Sequence, residues 1–420
     1  MTPDAAKALT AAIVLLAGAG VLVRPWRTAE AAWAVGGAAL LAVSGLLPLA
    51  DVWRAIGEGG DVYLFLAGMM LLSEVARREG LFDAVAAYAV NRAKGSAWRL
   101  FALVYGAGVI ITVFMSNDAT AVVLTPAVFA AAKRAKTEPL PHLFACAFIA
   151  NAASFVLPIS NPANLVLYAD HTPPLAAWLA RFALPSAAAI VATFAALAWA
   201  ERGALRTACE SAVPAVPITR GGWAAVAGLG CTVAVLLVVS ALDRPLGLPT
   251  AIMGALTAAI VLIARRASPL PLLKGISWSV LPLVAGLFVM VAALERIGAI
   301  SALAAALRQA TTRFGSIQAG GAAGALVAFA CNLVNNLPAG LVASAASTQA
   351  QSPRSVIDAL MIGVDLGPNL SVTGSLATIL WLAAIRREGE HVSGWRFLKT
   401  GAIIMPPALL LALAARLVLP

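Results

Sequence analysis

The sequence predicts an all-α polytopic membrane protein: two inverted-topology repeats carrying about ten transmembrane helices, two re-entrant helical hairpins and two broken helices. Three observations lead there. The 420 residues are 61% hydrophobic and only 11% charged, with a mean hydropathy of +0.91, a composition that belongs in a bilayer. Apolar stretches of about 17 to 25 residues recur from end to end, the length a spanning helix needs. The polar interruption Ser116-Asn117-Asp118 has an echo at Asn335-Asn336, 218 residues after Asn117-Asp118, and each lies inside an apolar run, as in transporters built from a repeat. The short alternating segments of a β-barrel do not recur.

The first repeat is assigned to residues 1–200. Residues 8–23 and 29–50 read as a lead-in pair split by the basic turn Arg24-Pro25-Trp26-Arg27. Lys7 gives the first run the look of a signal peptide, but the next apolar run follows at once, as after a first membrane helix. DVYLFLAGMMLLSEVARREG then crosses and stops at Arg77-Arg78, and residues 81–93 form an amphipathic piece expected at the cytoplasmic interface. From Trp98 to Ala132 the chain is apolar except at 116–118, with basic clusters on both flanks. One clean crossing would strand one cluster outside, so a hairpin that dips in and returns is favoured. Such irregular backbone is tolerated at membrane depth only where protein or a wet cavity surrounds it. Residues 139–168 form a crossing helix broken near 158–164, where Pro158 and Pro162 bracket Ser160-Asn161. The turn Asp170-His171-Thr172-Pro173-Pro174 leads to a return helix over 175–200.

Residues 201–221, polar and holding Pro214 and Pro217, are the cytoplasmic linker, and 222–420 are the second repeat. It follows the same plan: a pair at 222–241 and 248–264, a crossing at 276–293, a hairpin over 316–349 with its tip at 335–336, a span broken near 365–375, and a last helix at 396–418. Gly80 and Gly298, and Gly106 and Gly324, keep the spacing of 218.

A net charge of +10 is explained by topology rather than by nucleic acid. With the N-terminus outside, 20 of the 29 Lys and Arg fall on the cytoplasmic side, among them Arg77, Arg78, Lys133, Arg134, Arg265, Arg266, Arg386 and Arg387, which satisfies the positive-inside rule. The four cysteines, Cys146, Cys209, Cys231 and Cys331, are scattered and read as small packing residues. His142, His171 and His391 fall in predicted loop or boundary regions. No P-loop occurs, so the chain itself carries no ATP site, and no metal or cofactor is implied.

Hairpin tips and broken helices leave backbone amides and carbonyls unpaired, and half-helix dipoles add a fixed field there. Asn offers donors and an acceptor without charge, which makes Asn117, Asn335 and Asn336 candidate ligands for a polar neutral solute. Ser116, Ser160, Asn161, Asn369, Thr373 and Gly374, at the same interruptions, complete the candidate set. Asp118 and Asp365 are acids in apolar surroundings, where an ionisable group is costly unless it pairs or functions, and both are candidates for proton or cation coupling. Glu74 and Glu295, beside arginines near membrane boundaries, read as interface or ion-pair residues.

At these residues the sequence resembles the arsenite efflux permeases of the ion transporter superfamily. DVYLFLAGMMLLSEVARREGLFD, SNDATAVVLTP, NNLPAGLV and above all GVDLGPNLSVTGSLATILWL carry the likeness. Dicarboxylate carriers have paired Ser-Asn-Thr tips, which this chain lacks. The resemblance implies export of arsenite and antimonite across the plasma membrane in exchange for protons, and admits a separate soluble ATPase as partner. Arsenite near neutral pH is mostly an uncharged trihydroxide, which asks for hydrogen-bonding groups rather than a cationic pocket. A sodium/proton antiporter with both carboxylates as cation ligands is the alternative within the fold. An integral membrane enzyme acting on lipid is a third class, and no HExxH or GxSxG motif supports it.

Overall fold

The apolar runs give helices that break where Gly, Pro and Asn interrupt them. The computed structural model describes residues 2–25, 28–168, 173–210, 214, 216–242 and 244–418, so most of the expected turn at 170–174 lies outside the described residues. Before the linker stand α1 (Pro3–Val23), α2 (Glu30–Val43), α3 (Leu49–Glu58), α4 (Gly60–Arg78), α5 (Leu81–Ala93), α6 (Ala97–Phe114), α7 (Asn117–Ala119), α8 (Thr125–Arg134), α9 (Leu140–Ala152), α10 (Pro162–Leu167) and α11 (Leu175–Ala200). After it come α12 (Arg220–Ala241), α13 (Gly247–Arg265), α14 (Pro269–Gly275), α15 (Val280–Arg296), α16 (Ala299–Val334), α17 (Asn336–Gln349), α18 (Arg354–Leu366), α19 (Leu376–Arg387) and α20 (Gly394–Leu417). The protein is an all-helical, multi-pass membrane protein. Among the described residues, seven helices are long and apolar enough to cross a membrane, or nine if the bent pairs α3/α4 (46°) and α14/α15 (41°) each count as one span.

The single helix expected over 29–50 is not formed. Gly45, with φ +71°, and Pro48, which precedes the next helix, end α2 after 14 residues, about 21 Å at 1.5 Å per residue and short of the bilayer core. The polar stretch that follows, with Asp51, Arg54 and Glu58, becomes the separate helix α3. The helix expected to begin at 316 is continuous with the one before it: α16 runs 36 residues and turns at Gly315, whose φ of 81° and ψ of 165° suit glycine. His142 is also not in a loop. It lies in α9, 1% exposed, with its ring beside Phe101.

Small residues let helices approach closely, as membrane packing requires. A side chain at Gly68 of α4 would meet the Thr250 carbonyl of α13 at 2.3 Å, and one at Gly254 of α13 would meet the Gly68 carbonyl at 2.5 Å. While α4 packs along α13, α15 packs along α2. Adding 218 to the bounds of α2, α4 and α6 gives 248–261, 278–296 and 315–332, which fall on α13, α15 and the limb of α16 after Gly315.

The centre of the molecule is α9, every residue of which is buried, crossed by the largely buried α18. Aromatic rings fill the space around α9: Phe144 stacks on Trp381 at 5.6 Å and Phe148 on Phe397 at 5.0 Å, while the Trp381 indole donates to the Leu143 carbonyl at 2.9 Å. At the basic end of α4, Glu79 accepts from Thr219 at 2.8 Å and pairs with Arg265 at 3.0 Å, tying the two sides of the chain together.

Candidate functional site

Both polar interruptions fall at a capped helix start, but the caps differ. In the first, α6 ends at Phe114 and Ser116 stands extended (φ 168°, ψ 165°), its hydroxyl accepting from Ala119 N–H at 3.2 Å. Asn117 is buried and its side-chain oxygen accepts from Asp118 N–H at 2.9 Å. A π-helical turn, Thr120–Leu124, follows. Pro126 explains it: the ring has no N–H to offer the Val122 carbonyl and crowds it, so the turn widens. The Thr125 hydroxyl then donates to the Thr120 carbonyl at 3.3 Å, and Thr112 and Thr120 join the two limbs at 2.8 Å.

At the second the cap is Asn335, whose side-chain oxygen accepts from Leu337 N–H at 3.4 Å and whose amide donates to the Thr373 carbonyl at 3.3 Å. Asn336 is buried at the first helical position. The caps Ser116 and Asn335 are 219 apart rather than 218, so Asn117 corresponds to Asn336, and Asp118 to Leu337. The extra residue of the π-helical turn restores the spacing of 218 further along. The expected pairing of Asn117 with Asn335 is corrected by one position, and the acid remains confined to the first tip.

Asn335 has φ 74° and ψ 153°, a region essentially reserved for glycine that costs about 1–3 kcal/mol. As a cap, Gly loses only a few tenths of a kcal/mol against Asn. Asn335→Gly is therefore expected to exceed Asn335→Ala in stability by about 2 kcal/mol. Thermal unfolding of the two purified variants checks this; equal midpoints would mean that the backbone there is unstrained.

The breaks between α9 and α10 and between α18 and α19 meet each other. Asn151 donates to Asn369 at 3.0 Å across a separation of 218 residues, and Asn369 in turn donates to the Phe148 carbonyl at 3.1 Å. Asn161 caps α10 through Ala163 N–H at 3.0 Å and donates to Asp365 at 2.7 Å. Asp365 is fully buried, and its other oxygen has no hydrogen-bond partner among the described residues. Ser160 stitches the break to the first hairpin by donating to the Val113 carbonyl at 2.9 Å. Around the second tip, Asn332 donates to the Gly367 carbonyl at 3.0 Å and accepts from Ser371 at 2.7 Å, while Thr373 donates to the Asn332 carbonyl at 3.1 Å. Gly374 has Pro368 against it with no room for a side chain.

Nine of the eleven predicted residues fall into three groups. Ser116 and Asp118 line a cavity of about 120 Å³ between the first tip, α4 and the α14/α15 bend, together with Ser73, Glu74, Arg77 and Ser277. Ser160, Asn161, Asp365 and Asn369 form or join the buried polar centre, and Asn335, Thr373 and Gly374 surround the second tip. Asn117 and Asn336 are buried beside the tips and do not line the cavity. The Asp118 carboxylate is half-buried and has no ion pair or hydrogen bond among the described residues. Glu74 is paired as expected, with Arg77 and Arg78. Cys331 packs, its thiol facing the Val364 carbonyl. No cluster of three His, Cys, Asp or Glu occurs among the described residues.

Sequence reasoning missed Asn151, Asn332 and Asp358. Asn151 was detectable as the position 218 before Asn369, and Asp358 as an acid two helical turns before Asp365. Asp358 is fully buried and bonded to Arg416 at 2.5 and 2.8 Å and to the Tyr168 hydroxyl, with Arg181 at 3.8 Å.

The sequence profile of the citrate transporter family (CitMHS) matches residues 11–363. The chain is 29% identical over 395 residues to the arsenical pump membrane protein of Yersinia enterocolitica and 28% identical over 395 residues to that of Escherichia coli K12, covering 90% of this chain and 91% of the relative in each case. An uncharacterized transporter of Mycobacterium tuberculosis H37Rv is 25% identical over 96% of both chains. Among solved structures, the YdaH transporter of Alcanivorax borkumensis superposes with a TM-score of 0.60 over 98% of both chains at 16% identity, a likeness of fold. The chain belongs to the citrate transporter (CitMHS) family of the ion transporter superfamily and is homologous to arsenical pump membrane proteins.

Proposed function

We propose that this protein is a secondary active transporter that exports arsenite and antimonite across the plasma membrane in exchange for protons, by alternating access. The observation that carries the reading is the cavity at the first tip. Its volume of about 120 Å³ is roughly four times the ~30 Å³ share of one liquid water, room for a small polyhydroxyl solute. The polar groups around it are the hydroxyls of Ser73, Ser116 and Ser277, one unpaired carboxylate, Asp118, and one arginine already paired to Glu74. An uncharged trihydroxide suits these hydrogen-bonding groups. A tricarboxylate would find no uncompensated cation. The names of the arsenical pump relatives support the same substrate class.

Two inverted repeats, 1–200 and 222–420, with the termini outside, are the architecture that goes with this reading. The matching element bounds and the Asn151–Asn369 contact at 218 residues, as expected near a pseudo-two-fold axis, support it. The cavity reaches from the first tip to the basic end of α4 at Arg77, which corresponds to an inward-facing state. Protons arriving from outside would load Asp118 or Asp365 and leave towards the cytoplasm as solute departs.

Purified protein in liposomes with an imposed proton gradient should drive uptake or release of labelled arsenite according to the sign of the gradient. No gradient-dependent arsenite flux, or sodium-dependent proton flux in its place, would overturn the proposal in favour of the antiporter.

A further inference from the structure

Glu74 sits where the cavity wall meets the cytoplasmic end of α4. Its carboxylate accepts from Arg77 through both oxygens, at 2.5 and 2.6 Å, and from Arg78 at 2.7 Å. Arg78 reaches on to the Pro271 carbonyl at 2.5 Å. Glu74 is 6% exposed, whereas the Arg77 side chain is 45% exposed. Gly275 presses on the carboxylate: a side chain there would come within 1.9 Å of a Glu74 oxygen. The acid is thus held against two guanidinium groups with Gly275 packed close over its carboxylate.

A guanidinium with its planar fork unoccupied is the common receptor for oxyanions, which it grips with two parallel hydrogen bonds. Here a carboxylate of the same chain occupies that fork, and the second acid of the cavity, Asp118, stands unpaired on the facing tip. Glu74 and Asp118 together balance Arg77 and Arg78, so the entrance offers an anion no net attraction.

We propose that Glu74 is a specificity-determining residue: by occupying the Arg77 fork it excludes oxyanions such as phosphate, arsenate and citrate from a cavity that would otherwise attract them. The inference rests on the cavity being the solute path. It adds to that reading a mechanism by which a member of a citrate transporter family would refuse carboxylates.

The test is equilibrium binding of labelled inorganic phosphate and of citrate to the full chain in nanodiscs. Wild type should show no saturable binding. Glu74→Gln frees the fork and should bind both saturably, retaining at least 10-fold more ligand than wild type at the same concentration, while Glu74→Asp, which keeps the charge, should behave as wild type. The double variant Glu74→Gln with Arg77→Gln should lose the gain. Ser277→Lys adds a cation to the cavity wall without disturbing the Glu74 pair, and should also gain phosphate binding even if Glu74→Gln fails to fold. Well-folded Glu74→Gln without a gain, a gain that persists without Arg77, no gain in Ser277→Lys, or wild-type binding as tight as that of Glu74→Gln would each overturn the proposal. Arsenite flux of wild type is measured in parallel. Its loss would remove the transport reading alone, and its presence without a gain in the variants would remove this inference alone.

Discussion

Asp118→Asn should uncouple export from the proton gradient. The variant keeps the size and the acceptor oxygen of the side chain but cannot take up or release a proton. Because the Asp118 carboxylate has no ion pair or hydrogen bond among the described residues, the change leaves no partner stranded, and the fold should hold. The cavity wall changes only in charge. In liposomes, arsenite accumulation driven by a proton gradient should fall by a factor on the order of 100, matching a coupling free energy of about 3 kcal/mol, while movement down an arsenite gradient persists. Asp365→Asn is the companion measurement. There the amide can still accept from Asn161, which now reaches one Asp365 oxygen at 2.7 Å, so this variant too should fold. If Asp118→Asn retains gradient-driven accumulation and Asp365→Asn loses it, the coupling carboxylate is the one at the buried centre and the tip acid serves only to shape the field.

Much of this arrangement was legible in the sequence because membrane helices announce themselves by hydropathy and their breaks by Pro, Gly and Asn. Gly315, Asn335, Pro158 and Gly367-Pro368 stand where the chain leaves helical geometry. The Ser116-Asn117-Asp118 triplet marks a helix break for the same reason. Other features depended on information that a linear pattern lacks. The one-residue slip between the tips arises from a π-helical turn, and Pro126 alone does not say whether a helix will kink, widen or end. Which polar residues face open space follows from the packing of α4 and the α14/α15 bend against the first tip, so Ser73 and Ser277 carried no signal while Asn117, with a strong one, is buried. α2 read as a full crossing because Leu46 and Leu47 continue its apolar run past Gly45, and hydropathy averaging cannot register a single left-handed glycine. Asp358 was overlooked beside Asp365, although an acid in RSVIDALMIGVDL at that depth demands a partner. Its partners come from other helices, and no local spacing foretells them.

Those partners make Asp358 the position at which one substitution should cost most. Its carboxylate, fully buried on α18, receives two hydrogen bonds from Arg416 of α20 and one from the Tyr168 hydroxyl at the end of α10, with Arg181 of α11 close by. Asp358 and Asp365 lie seven residues apart on α18, about 10.5 Å along the axis, and they meet Tyr168 and Asn161, also seven apart, in antiparallel order. Two polar rungs therefore fasten α10 to α18, and the outer rung is clamped to α11 and α20 by the arginines. Asp358→Ala leaves Arg416 and Arg181, whose side chains are only 20% and 17% exposed, without a counter-charge. Stranding one member of a buried pair costs about 3–5 kcal/mol, a large share of the roughly 5–15 kcal/mol that holds a typical domain folded. Arg416→Met alone should cost less, because the acid keeps Tyr168 and Arg181 beside it. The double variant Asp358→Leu with Arg416→Met should recover much of the loss, since a buried ion pair replaced by apolar groups of similar volume is often neutral. Thermal unfolding of wild type, Asp358→Ala, Asp358→Leu, Arg416→Met and the double variant, purified in detergent, decides. An Asp358→Ala midpoint equal to wild type would mean that the cluster does not hold the four helices together, and additive losses in the double variant would mean that Asp358 and Arg416 act independently despite their 2.5 Å contact.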